Sequence, residues 1–346
     1  MSLFPVHSVD RALSRWEEHL HELTPVERRG SIWLKREDLF APLGPGGING
    51  GKLRSCIWLL WRMVAEGLPG FAHGASVKSP QHAFASVVAH HFGLRCVAVV
   101  GSDPSSAVRN QEVAVAASYG AELVRARIAY NPALQRRARE VAAARGLGLL
   151  DYGISTDMAR HGEQTVLAFH QLNAAQAANI PADVDTVVIP AGSCNSCAHL
   201  LLGLALHRPA GLRRVVLAGI GPCRVGYYEE RLALAERLLG RPVASLYRRR
   251  YPDHPDLEAR YQGPSDAPLL LEYHDLHARG LFDYQAEAQG VELGGVPMHP
   301  TYEAKVVRWL RSARPELLSG GRTLFWVIGA RADPAVMQRH APRGFG

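Results

Sequence analysis

Lys52 sits in the run Asn49-Gly50-Gly51-Lys52-Leu53-Arg54, at the seam between a glycine-rich loop and a stretch with helical spacing. At a helix start its amine would stand near the positive end of the helix dipole, with Arg54 close by, and both disfavour the ammonium form. A neutral lysine is a nucleophile that can form a Schiff base with a carbonyl compound. Taken alone, the segment also reads as a surface lysine after a turn. A second stretch leaves the apolar run Val187-Val188-Ile189 through Pro190 and Ala191 into Gly192, Ser193, Cys194, Asn195 and Ser196. Backbone N–H groups at such a strand-to-helix turn, with the Ser193 and Ser196 hydroxyls beside them, would cradle a phosphate. A third, Ser79-Pro80-Gln81-His82, offers a hydroxyl, an amide and an imidazole at the start of a helix, and alone reads as an ordinary N-cap.

Other candidate chemistries find less support. Cys194 and Cys197 form a CxxC with no second pair and no thioredoxin-like context, so neither zinc nor redox work is expected of them. His90 and His91 are adjacent on a helix and point apart, HExxH is absent, and no metal site is expected. The glycines from Gly219 to Gly226 fit a dinucleotide fingerprint poorly and read as a turn. No GxSxG elbow is present.

The elements that would position these residues alternate. Helical spacing covers residues 11–23; a short strand starts at Ile32; the loop before Lys52 is dense in Gly and Pro; and a helix runs from Leu53 to Gly67. Then come a small-residue segment, a helix over 81–91, a strand over 94–100, a helix over 107–119, a strand over 122–125, and a helix over 131–145. In that last helix Asn131 is the expected cap, Pro132 lies in the first turn, and Gly146 follows the end. A second series has a strand from Val187, a helix over 197–206 and a strand over 215–220, and a late strand over 323–328 returns to complete the second sheet. Alternation of this kind predicts an α/β fold with parallel sheets, built as two lobes of three-layer architecture. The expected division is a large domain of residues 1–54 plus 166–346 and a small one of 55–165.

Composition agrees with a packed enzyme. The chain has 346 residues, 47% of them apolar, enough to bury a large core. No apolar run approaches the length of a membrane helix, and the charged N-terminus does not resemble a signal peptide, so a cytoplasmic location and no membrane partner are expected. Five sparse cysteines suit reduced thiols. The formal charge of +7 is spread along the chain and interleaved with acids, which argues against nucleic acid and for attraction of an anionic cofactor or substrate.

In their order along the chain these segments resemble the fold type II, or tryptophan-synthase-β-like, pyridoxal-phosphate (PLP) enzymes. They are most similar to the branch of 1-aminocyclopropane-1-carboxylate deaminase and D-cysteine desulfhydrase. The similarity spans about Ile32 to Ile328. Its carriers are Lys35-Arg36-Glu37-Asp38, Gly50-Gly51-Lys52-Leu53-Arg54, Ser79-Pro80-Gln81, Tyr119-Gly120-Ala121-Glu122, the loop Gly192 to Ser196, and Pro300-Thr301-Tyr302-Glu303-Ala304-Lys305. The resemblance implies PLP held as a Schiff base on Lys52, with Arg54, residues Gly192, Ser193, Cys194, Asn195 and Ser196, and Glu303 binding the cofactor, Glu303 at the pyridine nitrogen. It implies Ser79, Tyr302 and Tyr273 beside Lys52 as catalytic groups, Ser79, Gln81 and His82 toward a small amino-acid substrate, and a homodimer.

The expected reaction is that of a lyase or deaminase, an elimination or ring opening that yields a 2-oxo acid and ammonia. The alternatives are β-replacement, as in cysteine-synthase-like relatives, and a non-catalytic ligand-binding relative. Three departures from the family pattern bear on this. Pro80 stands where the family has an asparagine that contacts the ring oxygen, and offers no donor there. Cys194-Asn195 replaces glycines. The stretch Ala41 to Asn49 lengthens the loop before Lys52.

Overall fold

The computed structural model describes residues 20–41, 46–126, 130–281, 286–329 and 332–341. Its strands are β1 (Val26–Arg29), β2 (Ile32–Arg36), β3 (Gly70–Gly74), β4 (Arg95–Val100), β5 (Glu122–Arg125), β6 (Gly148–Leu150), β7 (Thr186–Ala191), β8 (Arg214–Gly219), β9 (Tyr247–Arg250), β10 (Leu269–Asp275), β11 (Glu292–Leu293), β12 (Val296–Pro297) and β13 (Thr323–Val327). The described chain divides into two compact units. One comprises Leu20, Leu39–Asp157 and residues 332–341; the other comprises His21–Asp38 and residues 158–329. The division falls after Asp38 and Asp157, where the sequence predicts it after residues 54 and 165, so the lysine loop belongs to the first unit.

The first unit is built on a four-stranded sheet of order β5-β4-β3-β6, parallel throughout. Every residue of β3 is buried, as expected of a parallel strand covered on both faces. Ala72, Val97 and Val99 meet Leu134, Ala138 and Val141 of the helix Asn131–Arg145. That helix approaches so closely that a Cβ on Gly74 would lie 2.5 Å from the Leu134 carbonyl oxygen. The helix Gln81–His91 is buried along residues 81–89, so it is a core helix rather than an amphipathic one.

Several local expectations need correction. The single helix expected over 107–119 is two pieces, Pro104–Ala107 and Gln111–Ser118, because Asp103 caps the first and Asn110 is extended before the second. Asn131 is the first helical residue and not the cap, which is Tyr130, while Gly146 ends the helix at φ 63° as expected. Of the helix expected over 11–23, residues 11–19 lie outside the described residues, and 20–23 are turn and coil.

The second unit carries a seven-stranded sheet of order β1-β2-β13-β7-β8-β10-β9, parallel except for the β1–β2 hairpin. The late strand β13 does return, inserting between β2 and β7. Period-two alternation sends Val187, Ile189, Val215, Leu217, Leu324 and Trp326 into one core and Val188, Val216, Phe325 and Val327 into the other. Each such side chain contributes about 1.5–3 kcal/mol when fully buried. Two covered faces make three layers.

Lys35-Arg36-Glu37-Asp38 forms a knot at the end of β2. The fully buried Lys35 donates to the Thr24 carbonyl and to Asn179 Oδ1, both at 2.8 Å; Glu37 accepts from Thr24 Oγ1 at 2.6 Å; Arg36 pairs with Asp38 at 2.8 Å and Glu27 at 3.0 Å. Among the described residues no helix is long and apolar enough to cross a membrane.

Candidate functional site

Within each sheet the parallel strands point one way; Ser79 lies after β3 and residues 192–196 lie in the turn after β7, at the C-terminal ends of their strands, where α/β sheets bind ligands.

In the first unit Lys52 is the second residue of the helix Gly51–Ala65 and is half-buried. Gly50 precedes it at φ 89°, ψ 178°, a conformation that only glycine adopts without strain, and its N–H donates to the Phe40 carbonyl at 2.9 Å. The glycine requirement and the amine's place in the first turn therefore have one geometric cause. Arg54, expected at the cofactor, lies inside the core instead. It is fully buried, its guanidinium carbon stands 3.9 Å from the Phe40 ring centroid, and it donates to the Leu20 carbonyl. Arg54 thus positions the loop that carries Lys52.

Ser79 follows β3, and its Oγ accepts the Gln81 N–H at 3.3 Å, leaving the hydroxyl hydrogen available to a ligand. Pro80 begins the next helix at φ −64°, where the missing N–H costs nothing. Gln81 and His82, expected at the substrate, face inward. The Gln81 Nε2 donates to the Asp151 carbonyl at 3.1 Å and its Oε1 accepts from the Gly153 N–H at 2.8 Å, bracing the turns after β3 and β6 together. His82 is fully buried, with Nε2 3.2 Å from the Ala75 carbonyl and its ring 5.0 Å from His73; burial pulls its pKa down to about 4, so it is a neutral core group. The braced turn holds a feature the sequence did not signal. Ile154, β-branched and buried, sits at φ 56°, a conformation costing about 1–3 kcal/mol that tends to mark functional turns.

In the second unit the turn after β7 runs through Gly192 and Ser193 to Cys194, which caps the helix Asn195–His207 in the left-handed conformation at φ 61°, ψ 8°. A non-glycine residue thus takes a positive φ where the family pattern has glycine. First-turn amides of a helix have no intrahelical acceptor and point out of its N-terminus. Ser193 and Ser196 are half-exposed there, and a Cβ on Gly192 would come no closer than 3.9 Å to its nearest neighbour, Ile220, so the loop backbone is open to a ligand. Asn195 is buried and accepts from the Tyr227 hydroxyl at 2.9 Å, a partner without a sequence signal.

Glu303 opens the helix Glu303–Ala313 and is 2% exposed. Its Oε1 accepts the N–H groups of Ile328 at 3.1 Å and Gly329 at 3.3 Å, which fixes the carboxylate at the end of β13. Tyr302, the N-cap, is half-buried with its ring 4.9 Å from His299. Tyr273 differs from expectation. It lies within β10, 1% exposed, with its ring against Gly219, where a Cβ would be 2.8 Å from Cζ. Burial raises its pKa, so it stays a protonated donor.

These donor sets suit PLP. A half-buried amine at a helix start, a strand-to-helix turn with two hydroxyls, and a buried carboxylate pinned by two amides are the kinds of group that PLP's aldehyde, phosphate and ring nitrogen take.

No family model matches the chain. It is 34% identical, across 99% of its own length and 89% of the relative's, to the O-seryl-dTMP PLP-dependent decarboxylase of Salmonella phage ViI. Among solved structures it is similar to a 1-aminocyclopropane-1-carboxylate (ACC) deaminase homologue (TM-score 0.63, 18% identity, 89% of each chain). It is also similar to processed threonine deaminase isoform 2 of Solanum lycopersicum (TM-score 0.53, 14% identity, 97% of this chain and 94% of that one). Identity of this extent to a PLP-dependent enzyme, on a fold shared with deaminases of the same architecture, means that the chain belongs to the fold type II pyridoxal-phosphate enzymes and uses that cofactor.

Proposed function

We propose that this enzyme is a lyase acting at Cα of an O-substituted serine, and that the bond it breaks is the one to the carboxylate. The observation that carries the reading is the 34% identity, over nearly the whole chain, to a decarboxylase of an O-seryl nucleotide. The balanced reaction takes R–O–CH2–CH(NH3+)–COO− and one proton to R–O–CH2–CH2–NH3+ and CO2, keeping the ether oxygen. A net charge of +7 favours an anionic substituent R.

Bound PLP supplies the electron sink for the pair left at Cα. Lys52 would hold the cofactor, and its ammonium form is the acid that would give a proton to Cα after carbon dioxide leaves. The amides and hydroxyls of residues 192–196 hold the phosphate, and Glu303 keeps the ring nitrogen protonated. The Ser79 hydroxyl orients the substrate, with Gln81 fixing the turn that carries it, and Tyr302 is the second proton carrier. Tyr273 supports the turn after β8 from within the sheet. The five cysteines are free thiols, in keeping with a reducing cytoplasm, and the homodimer remains part of the proposal by family analogy, checked by light scattering.

The second reading is elimination to a 2-oxo acid and ammonia, favoured by the deaminase-like run Pro300 to Lys305. The test is to give the PLP-loaded enzyme O-seryl-dTMP, O-acetylserine and serine, with and without an added thiol. Carbon dioxide and the intact ether amine are expected from O-seryl-dTMP. Release of 2-oxo acid and ammonia instead would establish the elimination, and a product requiring the thiol would establish β-replacement.

A further inference from the structure

We propose that Cys223, His254 and Asp275 form a binding site for a zinc-class divalent cation, apart from the residues assigned to the cofactor and independent of the reaction chosen above. One donor atom from each lies within 4.8 Å of the other two. The convergence follows from the sheet. β8, β10 and β9 are neighbours in that order, and Cys223 lies in the turn leaving β8, Asp275 ends β10, and His254 follows β9 as the N-cap of the helix Pro255–Tyr261. Three parallel strands thus deliver three ligands at one edge, although the residues lie far apart in sequence. Neither the CxxC nor the paired histidines weighed above signal it.

The local charge favours a cation. The Asp275 side chain is 2% exposed, with Oδ2 2.7 Å from His254 Nε2 and Oδ1 accepting the Ala278 N–H at 2.8 Å. The arginine of that turn, Arg279, is engaged by Asp253 at 2.7 Å, and Asp253 also accepts the Asp275 N–H at 2.9 Å. A buried carboxylate with a second carboxylate beside it is stabilised by a positive charge placed against it. A thiol, an imidazole and a carboxylate are the donors zinc takes, whereas magnesium and calcium prefer oxygen alone. Zinc at ligand distances of about 2.0–2.3 Å spaces its donors by roughly 3.3–3.8 Å, within reach of small side-chain adjustments here. Three protein ligands leave a fourth position for water. Cys223 and His254 are half-buried, so an ion can enter. Binding ionises the Cys223 thiol, which burial otherwise holds protonated, and releases its proton to solvent.

The test measures zinc retained by the PLP-loaded protein after dialysis against buffered Zn2+. One equivalent per chain is expected, with affinity falling at least about tenfold in Cys223→Ser and in His254→Ala. The exposed His277→Ala is expected to retain it. In the parent, Zn2+ is also expected to slow alkylation of Cys223 at least about tenfold, a readout that stands even if the variants fail to fold. Absence of retained zinc, zinc held equally by Cys223→Ser, or unchanged alkylation overturns the proposal; none of these outcomes bears on the decarboxylation.

Discussion

Lowering the pH from 7.5 to 5 should destabilise this protein steeply, and buried histidines account for it. His73 and His82 in the first unit and His170 and His199 in the second are 0%, 0%, 2% and 5% exposed. Burial holds all four below the ordinary imidazole value, His82 at about 4 and His199 at about 3. The carbonyls of Ala75 and His170 pull partly the other way, and His73 and His170 are pushed further down by their histidine neighbours. A group whose folded pKa is depressed in this way stays neutral in the fold while the unfolded chain takes up protons near 6.5. Its contribution is complete above that value and is lost as pH falls toward the folded pKa. For His82 the gap from 6.5 to about 4 corresponds to roughly 3 kcal/mol. Four such groups approach a combined slope of about 5 kcal/mol per pH unit, against a typical total stability of about 5–15 kcal/mol. Urea unfolding at pH 7.5, 6.5 and 5.5 should show a sharply falling midpoint, and His82→Phe should reduce the slope by about 1.4 kcal/mol per pH unit. A midpoint unchanged across that range, or a slope identical in the variant, would show that the buried histidines do not set the pH dependence.

Glu303→Gln keeps an acceptor for the Ile328 and Gly329 amides but loses the charge. Cofactor content should stay near parental while kcat falls about 10- to 150-fold, the equivalent of a charged hydrogen bond of roughly 1.5–3 kcal/mol, read by turnover and by the absorption of the bound cofactor. Gly219→Ala drives a Cβ against the Tyr273 ring and should cost about 1–3 kcal/mol in urea melts, part of it recovered when Tyr273→Phe is combined with it; strict additivity would show that the two do not touch. Lys35→Met removes the donor to Asn179 Oδ1 and leaves the Thr24 carbonyl with the Asn179 amide alone. It should cost about 2–4 kcal/mol of stability, with turnover per folded molecule unchanged.

What the sequence disclosed was whatever local chemistry dictates. Pro132 and Gly146 bound their helix, Val187 to Ile189 is a buried strand, and Gly50 before Lys52 has the backbone conformation its residue type suggests. Side-chain direction, in contrast, is decided by packing. Arg54 and His82 carry polar heads that motif logic turns toward a ligand, yet Phe40 and Ala75 receive them in the core. The brace from Gln81 to Asp151 and Gly153, and the clasp of Glu303 by Ile328 and Gly329, pair residues distant in the chain with backbone groups, which have no sequence signature at all.

The same distinction explains why the cofactor is easier to read than the reaction. Holding PLP requires residue types at helix starts and strand-to-helix turns, and in the proposed reading Lys52, Ser193, Ser196 and Glu303 would meet that requirement whatever bond later breaks. Choosing among the bonds at Cα depends on how the substrate is turned, and a serine derivative offers both a carboxylate and a β-oxygen to lose. Of the three departures from the family pattern, Pro80 lies in the turn 79–81 that carries Ser79. Pro80 removes a side-chain donor, and the Gln81 brace then fixes the Ser79 hydroxyl as the polar group that turn presents. Restoring an asparagine at Pro80 leaves the brace intact and returns a side-chain donor to that turn. Pro80→Asn is therefore expected to shift the ratio of carbon dioxide to 2-oxo acid toward elimination, and an unchanged ratio would place the choice of bond elsewhere in the site.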